Sequence, residues 1–358
     1  MRSVLISGAG VAGPTLAYWL ARQGYRPTVV ERAQGLRSSG NPVDVRGPAL
    51  PVAARMGLMP RLRERATLAT AMVVVDDRGR RVARLPMPAA AGDEVELPRG
   101  DLAATLMEAA RDDAEWIWDD TITGLAQDAG GVDVTFDRSA PRRFDYVVGA
   151  DGLHSAVRRL GFGPEREFVR HMGVFVATLP LDVPSDSPHD VLVYNTPGRL
   201  TSIHPARGTA LAAFIFRSPM VPDFDYRDTA RHKRIVAAAY ADAGWRVPEL
   251  LDRVAATGDL YFDSVSRVRL PSWSRGRVAL VGDAASCVSL FGDGSSLAMA
   301  GAHTLASAMG DFARYEAAHR RLVEPKQRNV GRASAMLVPK THIGLAARNL
   351  AARAASRH

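Results

Sequence analysis

The sequence predicts an α/β protein in which helices cover a parallel sheet and a second, antiparallel sheet is inserted into that unit. Three observations support this class. An apolar strand at the start of the chain runs into a glycine-rich turn and a helix. Between residues 171 and 270, β-rich runs follow one another with no room for crossover helices, which indicates antiparallel pairing. After Gly276 a buried parallel strand returns, and the remaining residues are largely helical in pattern.

The turn after the first strand has the spacing of a dinucleotide-binding fingerprint. Residues 2–7 lead into Gly8-Ala-Gly10-Val-Ala-Gly13. Gly8 is expected to form the tight turn, Gly10 to let the backbone approach a pyrophosphate, and Gly13 to let the helix pack on the sheet. Glu31 follows Gly13 by 18 residues, where a carboxylate binds ribose hydroxyls, so the pattern favours FAD or NAD over NADP.

The other elements are predicted from hydrophobic periodicity and from turn residues. The predicted strands cover 27–30, the hairpin of 71–75 and 81–85, 122–128, 132–136, 145–149, the antiparallel runs 174–179, 191–194, 200–204 and 211–216, and 277–281. The predicted helices cover 14–23, which Gly24 ends, 49–65, a segment with Asp101 as its N-cap, 228–244, 294–309, 312–323, 326–337 and 344–356.

Composition excludes several classes of site. Cys287 is the only cysteine, so the sequence predicts neither an intrachain disulfide nor a cysteine-based metal site, and a reducing cytoplasm is the expected location. His154, His171, His204 and His303 share no metal-ligand spacing, so no metal is predicted. The net charge of +8 comes from scattered arginines, which makes nucleic-acid binding a poor hypothesis. No apolar run is long enough for a membrane span.

Two further motifs follow the first. They are Gly149-Ala-Asp151-Gly152-Leu-His-Ser155-Ala-Val-Arg158 and Arg277-Val-Ala-Leu-Val-Gly282-Asp283-Ala-Ala285. With all three motifs in order, the chain resembles the single-component FAD-dependent aromatic hydroxylases, the para-hydroxybenzoate hydroxylase-like flavoprotein monooxygenases. It is most similar to the branch with tetracycline-inactivating and polyketide-tailoring monooxygenases. The residues that carry this likeness are Gly40-Asn-Pro-Val-Asp44-Val-Arg46-Gly47, Arg99-Gly-Asp101-Leu and Ser272-Trp273.

The resemblance implies a Rossmann-like FAD-binding domain with an inserted, sheet-based substrate domain and C-terminal helices. The predicted division is 1–70, 98–170 and 271–310 for the discontinuous FAD-binding domain, 71–97 and 171–270 for the substrate domain, and 311–358 for the C-terminal helices. Aromatic residues on the inserted sheet could face a pocket, but core packing is the expected task for most of them. These residues are Phe175, Tyr194, Phe214 and Phe216.

The resemblance also implies roles for individual residues. Glu31 would bind the adenosine ribose, Arg99 would lie along the pyrophosphate or ribityl chain, and Asp283 would accept a hydrogen bond from a ribityl hydroxyl. The full predicted cofactor-binding set is Gly8, Gly10, Val11, Ala12, Gly13, Glu31, Arg32, Arg46, Arg99, Asp151, Gly152, Arg158, Gly282, Asp283, Gly292, Gly294, Ser295 and Ser296.

Four of these residues also have plain structural interpretations, and for Asp283 it is the N-cap of a short turn. In the family, Asp151 and Gly152 serve FAD and NAD(P)H together and Arg158 anchors them, yet Asp151 could be only a turn former and Arg158 only a surface helix residue. Arg46 would lie near the isoalloxazine and is the one candidate catalytic residue. It could equally be solvated, because the sequence shows no charge partner for it.

The implied function is an FAD-dependent monooxygenase that uses NAD(P)H and O₂ to oxygenate an aromatic or polyketide-like small molecule through a flavin hydroperoxide. A second GxGxxG is absent, so a separate nicotinamide domain is not predicted and NADPH or NADH would bind only transiently. The expected oligomeric state is a monomer or homodimer. One alternative is a flavin-dependent halogenase, because that family shares the first fingerprint. Trp116-Ile-Trp118 superficially matches its tryptophan motif but lacks the Ile-Pro ending. Another is a catalytically degenerate flavin-binding sensor.

One loop departs from the family. Where relatives read Gly-Asp-Ala-Ala-His, Pro-Pro and Gly-Gln-Gly, this chain has Ser286, Val288-Ser289 and Gly292-Asp293-Gly294. The helix from Gly294 should direct its positive N-terminus at the flavin pyrimidine. Asp293 would add an anion there, and the favoured interpretation is an N-cap that bonds the Ser295 and Ser296 amides.

Overall fold

The computed structural model describes residues 1–35, 42–87, 93–206, 208–287 and 293–355. The strands are β1 (Ser3–Ser7), β2 (Arg26–Glu31), β3 (Val43–Val45), β4 (Ala71–Val75), β5 (Arg81–Pro86), β6 (Val95–Leu97), β7 (Glu115–Trp118), β8 (Ile122–Gln127), β9 (Val132–Phe136), β10 (Arg142–Phe144), β11 (Tyr146–Gly149), β12 (Val169–Pro180), β13 (Asp190–Thr196), β14 (Arg199–Ala206), β15 (Thr209–Arg217), β16 (Tyr261–Val268), β17 (Ser274–Arg275) and β18 (Val278–Leu280). The helices are α1 (Ala12–Arg22), α2 (Leu50–Arg55), α3 (Met59–Glu64), α4 (Arg99–Ala109), α5 (Ala156–Gly161), α6 (Glu165–Phe168), α7 (Thr229–Ala239), α8 (Val247–Ala256), α9 (Asp283–Ser286), α10 (Asp293–Ser307), α11 (Phe312–Leu337) and α12 (His342–Ala355).

A six-stranded sheet in the order β17-β18-β11-β1-β2-β7 forms the predicted parallel sheet. Only the short β17 runs antiparallel to its neighbour. The register aligns Ser7 with Gly149 and Gly149 with Leu280, so β1, β11 and β18 end side by side. Because the turns after these strands carry the three sequence motifs, the sheet brings all three motifs to one edge. The predicted α/β class is confirmed.

A seven-stranded sheet in the order β16-β12-β15-β14-β13-β4-β5 forms the second layer. Its pairs are antiparallel except β13 with β4, which is parallel because β4 comes from the separate hairpin of residues 71–86. One face packs on α7 and α8, and the aromatic residues buried there are Phe262 and the four predicted ones, Phe175, Tyr194, Phe214 and Phe216. Core packing of these residues is confirmed, whereas the division into domains stays a prediction.

Two small sheets complete the described strands. β10, β9 and β8 form a three-stranded antiparallel sheet. β3 and β6 pair with each other, which places Asp44 opposite Glu96. β6 therefore pairs with the 42–46 segment and not with the neighbouring hairpin strands β4 and β5. The strands with no counterpart in the sequence prediction are β3, β6, β7, β10, β16 and β17.

Several predicted helix bounds differ from the structure. The single helix expected over 49–65 is a 3₁₀ turn at Gly47–Ala49 followed by α2 and α3, because Gly57 adopts a left-handed φ of 71°. Asp101 is not an N-cap. The cap position of α4 is Pro98, and Asp101 lies in the first turn, where its charge still suits the helix dipole.

The C-terminal region contains one helix where two were predicted. α11 runs through Pro325 without ending, although proline removes one backbone hydrogen bond of a helix. Packing compensates for this loss: the buried Tyr315 hydroxyl donates to the Leu280 carbonyl at 3.0 Å, and Val323 is also buried. None of the described helices is both long enough and apolar enough to cross a lipid bilayer.

Candidate functional site

A cavity of about 630 Å³ lies between the ends of the parallel strands and one face of the seven-stranded sheet. The residues that line its first half belong to the turns after β1, β11 and β18 and to the start of α10. They are Gly10, Val11, Ala12, Ala150, Gly152, Gly282, Asp283, Gly294 and Ser295. Charged and polar side chains continue this wall. They are Asp44, Arg46, Glu96, Arg99, Tyr261 and Asp263.

The glycines of the first turn have the steric surroundings that a dinucleotide requires. Gly8 has a φ of 107°, and a Cβ there would lie 2.6 Å from the Ala150 carbonyl oxygen. A Cβ on Gly13 would lie 1.9 Å from the Gly8 oxygen, so α1 packs directly on the turn. A Cβ on Gly10 would meet no atom within 4 Å. The first turn of α1 has no side-chain cap, so its amides fit a pyrophosphate.

Glu31 and Arg32, at the end of β2, do not line the cavity. The Glu31 carboxylate accepts hydrogen bonds from the Ala9 amide at 2.9 Å and the Ala33 amide at 3.0 Å. Glu31 therefore supports the phosphate turn directly. Arg32 donates to the Tyr226 hydroxyl at 2.7 Å. The roles of both residues in holding the adenosine half stay predictions.

Asp151 is held by its own turn, whereas Gly152 faces the cavity. The Asp151 carboxylate accepts from the Ser155 hydroxyl, from the Ala156 amide at 2.8 Å and from the Val157 amide at 3.1 Å. Burial raises its pKa, although these hydrogen bonds act in the opposite direction. Asp151 thus fixes the start of α5, while its predicted contact with FAD and NAD(P)H stays a prediction.

Arg158 is completely buried, so its interpretation as a surface helix residue is wrong. Its guanidinium donates to the Leu153 carbonyl, to the Ala284 carbonyl at 3.1 Å and to Glu165 at 3.3 Å. Arg158 therefore joins the turn after β11 to the turn after β18. Since these partners are protein groups, its predicted role is to anchor the two motifs rather than to contact the cofactor itself.

Asp283, predicted to contact the ribityl chain, and Arg99, predicted to lie along the pyrophosphate or ribityl chain, both line the cavity. Asp283, at the start of α9, has a pKa that burial raises and the Arg99 charge lowers, with a net upward shift. Burial disfavours the charge on Arg99, but Tyr261 and Asp283 outweigh it and raise the pKa of Arg99. The sequence missed Tyr261 because β16 was not predicted.

Arg46 has the charge partners that the sequence did not reveal. Its guanidinium lies 3.0 Å from Asp293 Oδ1 and 3.3 Å from Asp44. Its backbone amide donates to Ser296 Oγ at 3.0 Å, and Ser296 donates to the Asp44 carbonyl at 2.7 Å. These contacts attach the segment after β3 to the start of α10.

Asp293 does not cap α10 from outside, so that interpretation is wrong. It is the first residue of the helix, and its carboxylate pairs with Arg46 and with Lys326 Nζ at 3.1 Å. The carboxylate is therefore neutralised by two cations rather than by the Ser295 and Ser296 amides. Three residues of the loop that departs from the family, Val288, Ser289 and Gly292, lie outside the described residues, as do Gly40 and Asn41 of the Gly40–Gly47 stretch.

Two carboxylates that the sequence did not single out face each other next to Arg46. Asp44 and Glu96 are opposite one another in the β3–β6 pair, and both line the cavity. Burial is the main cause that raises the pKa of each, with Arg46 opposing the shift at Asp44 and Thr67 opposing it at Glu96. This end of the cavity is therefore polar and dense in charge.

His154 lies in a buried ion network beside the turn after β11. Its ring nitrogens lie 3.1 Å from Glu165 and 3.2 Å from Asp263, and its ring stacks on Tyr226 at 4.1 Å. Burial opposes protonation, but the two carboxylates outweigh it and raise the pKa of His154 to about 9. His154 is therefore a structural cation.

The seven-stranded sheet supplies the second half of the cavity. Besides Tyr261, Asp263 and Ser264 of β16, its lining side chains, with Met87 directly after β5, are Met72, Leu85, Pro86, Met87, Val176, Val191, Val193, Leu200, Ser202, His204, Ala213 and Ile215. Period-two alternation along β13, β14 and β15 could have indicated these residues from sequence. Trp116 and Trp118, which suggested a halogenase, lie on the edge strand β7 and do not line the cavity.

Comparisons with known proteins agree with this arrangement. The model of the family described as "FAD binding domain" matches residues 1–337. An uncharacterized protein of Mycobacterium tuberculosis (strain H37Rv) is 40% identical over 343 residues, covering 91% of this chain and 92% of the relative. A flavin-dependent monooxygenase of Legionella longbeachae is 35% identical over 340 residues, covering 91% and 87%. The crystal structure of tetracycline destructase Tet(51) has a TM-score of 0.86 at 30% identity, covering 99% of this chain and 96% of that one.

The surroundings of Gly10 and Gly13 predict opposite outcomes for the same substitution. Gly13→Ala should destabilise the protein by several kcal/mol, because its Cβ would lie 1.9 Å from a backbone oxygen. Gly10→Ala should change stability by less than about 0.5 kcal/mol but weaken FAD binding, because the methyl would fill the space through which the backbone approaches a pyrophosphate. Thermal unfolding of the apoproteins and FAD titrations would measure both. Wild-type FAD affinity in Gly10→Ala would contradict the assignment.

The raised pKa of His154 predicts a pH-dependent stability. The folded value of about 9 exceeds the unfolded value of 6.5, so the stabilisation is complete below pH 6.5 and is lost as the pH rises through 9. The loss should not exceed about 3 kcal/mol. His154→Gln should remove this part of the decline in urea unfolding measured across that range. His303→Gln is the matched control, because burial lowers the pKa of His303.

The ion pairs of Asp293 predict the sign of two shifts in flavin potential. Asp293→Asn should make the midpoint potential more positive, because it removes an anion and leaves Arg46 and Lys326 to stabilise the negative charge that a flavin gains on reduction. Lys326→Met should make it more negative, because it removes a cation and leaves Asp293. Dye-equilibrated reduction of both holoproteins would measure the shifts. Shifts of the same sign, or none, would refute the electrostatic assignment.

Proposed function

This chain belongs to the FAD binding domain family and is a flavin-dependent monooxygenase, and from that premise we propose that it uses NAD(P)H and O₂ to oxygenate an aromatic or polyketide-like small molecule. The observation that carries the proposal is one continuous cavity, which has the dinucleotide turn at one end and an apolar sheet face at the other. Bound FAD would supply the redox chemistry, and the protein would position the reactants and exclude water.

The first half of the cavity would hold the cofactor. The amides at the start of α1 and the open space at Gly10 suit a pyrophosphate, and Asp283 with Arg99 suits a polyhydroxyl chain. Gly294 and Ser295, at the start of α10, line the same wall, where a positive helix end favours a ring that becomes anionic on reduction.

The second half would hold the organic substrate. Its wall is aliphatic over most of its area, which suits a flat, largely apolar ring system and keeps water from the reacting atoms. The similarity to a tetracycline destructase supports a polycyclic, polyketide-like compound as one candidate class. Hydroxylation is the outcome we favour, with oxygen insertion beside a carbonyl as the alternative product.

The nicotinamide would visit the cavity only transiently. The three motif turns at the edge of the parallel sheet all line this cavity, and Arg46 is the cation of its lining that lies beside α10. Arg46 would attract the anionic dinucleotide and orient its nicotinamide. The oligomeric state and a cytoplasmic location stay predictions.

An isotope experiment tests the proposal. The holoenzyme with NADPH or NADH under ¹⁸O₂ should convert at least one of tetracycline, a hydroxyanthraquinone and a simple phenol to a product that carries one ¹⁸O atom by mass spectrometry. Asp283→Ala is the matched control, because weaker FAD binding should reduce product formation. Reductant consumption that yields only hydrogen peroxide with all three compounds would contradict the proposal.

A further inference from the structure

Two polar side chains interrupt the apolar wall of the cavity. Among the described residues of β4 and β12 to β15, Ser202 and His204 are the polar residues that line it. Both belong to β14, where Leu200, Ser202 and His204 share one face by period-two alternation. Ser202 is opposite Val193 of β13 and Ala213 of β15, which also line the cavity. The polar pair is therefore enclosed by aliphatic side chains.

The geometry of the pair decides which nitrogen of His204 carries the proton. Ser202 Oγ lies 2.9 Å from His204 Nε2. His204 Nδ1 is buried without a hydrogen-bond partner. A proton on Nδ1 would be an orphaned buried donor, which is rarer and costlier than an unfilled acceptor. The favoured tautomer therefore has its proton on Nε2, and Nε2–H donates to Ser202 Oγ.

The imidazole also stays neutral in this position. Burial lowers the pKa of His204 to about 4, so at neutral pH the ring has a single N–H. Because Ser202 Oγ accepts that N–H, the hydroxyl proton of Ser202 is directed away from the imidazole. His204 Nε2 is the partner that the structure gives to Ser202 Oγ within the described part of the chain. The hydroxyl thus remains a donor in need of an acceptor.

We propose that Ser202, oriented by His204, donates the hydrogen bond that recognises an oxygen acceptor, a ring carbonyl or a phenolate, on an otherwise apolar polycyclic substrate. This inference rests on the proposed function, which places the substrate in this half of the cavity. Ser202 is then a specificity-determining residue and His204 a positioning residue. A single directional contact in an aliphatic wall fixes the orientation of the ring system, and hence which carbon faces the cofactor half.

The same physics explains why the contact would select among ligands. An aliphatic wall discriminates weakly between ring systems of similar shape. A buried hydroxyl discriminates more strongly, because a hydrocarbon at that position leaves the donor unpaired. Removing the hydroxyl should therefore weaken ketone binding. It should leave hydrocarbon binding unchanged or make it slightly stronger, because the donor that a hydrocarbon leaves unpaired is then gone.

Binding of two matched probes tests the proposal. The oxidised holoenzyme is titrated with 1-tetralone and with tetralin, which share a ring skeleton and differ in the carbonyl, and binding is followed by the flavin absorbance. Ser202→Ala should weaken the affinity for 1-tetralone about tenfold and leave that for tetralin unchanged or slightly stronger. His204→Leu should act in the same direction, and His204→Gln, which keeps an N–H donor, should restore part of the loss.

Thr201→Val is the matched control, because it removes a buried hydroxyl from the neighbouring position of β14 that does not line the cavity. It should leave the affinities of both probes unchanged. Equal effects of Ser202→Ala on the two probes, no effect on either, or no measurable binding of 1-tetralone to the wild type would overturn the inference. The titrations contain no NAD(P)H, so a failure of oxygenation would refute the proposed function and leave this selectivity intact.

Discussion

The buried guanidinium of Arg158 is the contact on which the rest of the site depends. An arginine with no exposed area is tolerated only when its charge is compensated by hydrogen bonds, and Arg158 Nη1 and Nη2 donate to the Leu153 and Ala284 carbonyls and to Glu165. Among the described residues, Arg158 Nε has no hydrogen-bond partner. The two carbonyls belong to the turns after β11 and β18. Because these two turns are far apart in the sequence, the hydrogen bonds of Arg158 fix the position of one turn relative to the other. The backbone of both turns would surround the cofactor.

The same charge network connects the two large sheets. Glu165 pairs with Arg158 and with His154, and His154 reaches Asp263 on β16, the edge strand of the seven-stranded sheet. The spacing between the two halves of the cavity is therefore set by a chain of alternating charges as well as by apolar packing. At the opposite end, Asp293 between Arg46 and Lys326 has a corresponding role, because it joins the 42–46 segment, α10 and α11.

Sequence patterns correctly predicted the features of this fold that depend on residues close together in the chain. The glycine spacing, the parallel strands and the core position of Phe175 and Phe214 follow from steric limits and period-two alternation, and the structure contains them. The partners of Arg46 and His154 were not visible, because Asp293 and Asp263 are distant in sequence. Pro325 misled the prediction for a related reason: packing around Tyr315 outweighs the local cost of proline in α11.

β14 shows how substrate recognition and folding share one strand. Its even-numbered residues Leu200, Ser202 and His204 line the cavity, while Ile203 belongs to the aromatic core on the opposite face. A register slip of one residue would exchange these faces, burying Ser202 and His204 in the core and exposing Ile203 in the cavity. Because β13 and β15 pair with β14 over its length, the hydrogen bonds that prevent such a slip also fix the position of the Ser202 hydroxyl. The positions of Ser202 and His204 in the cavity are therefore set by the register of the sheet.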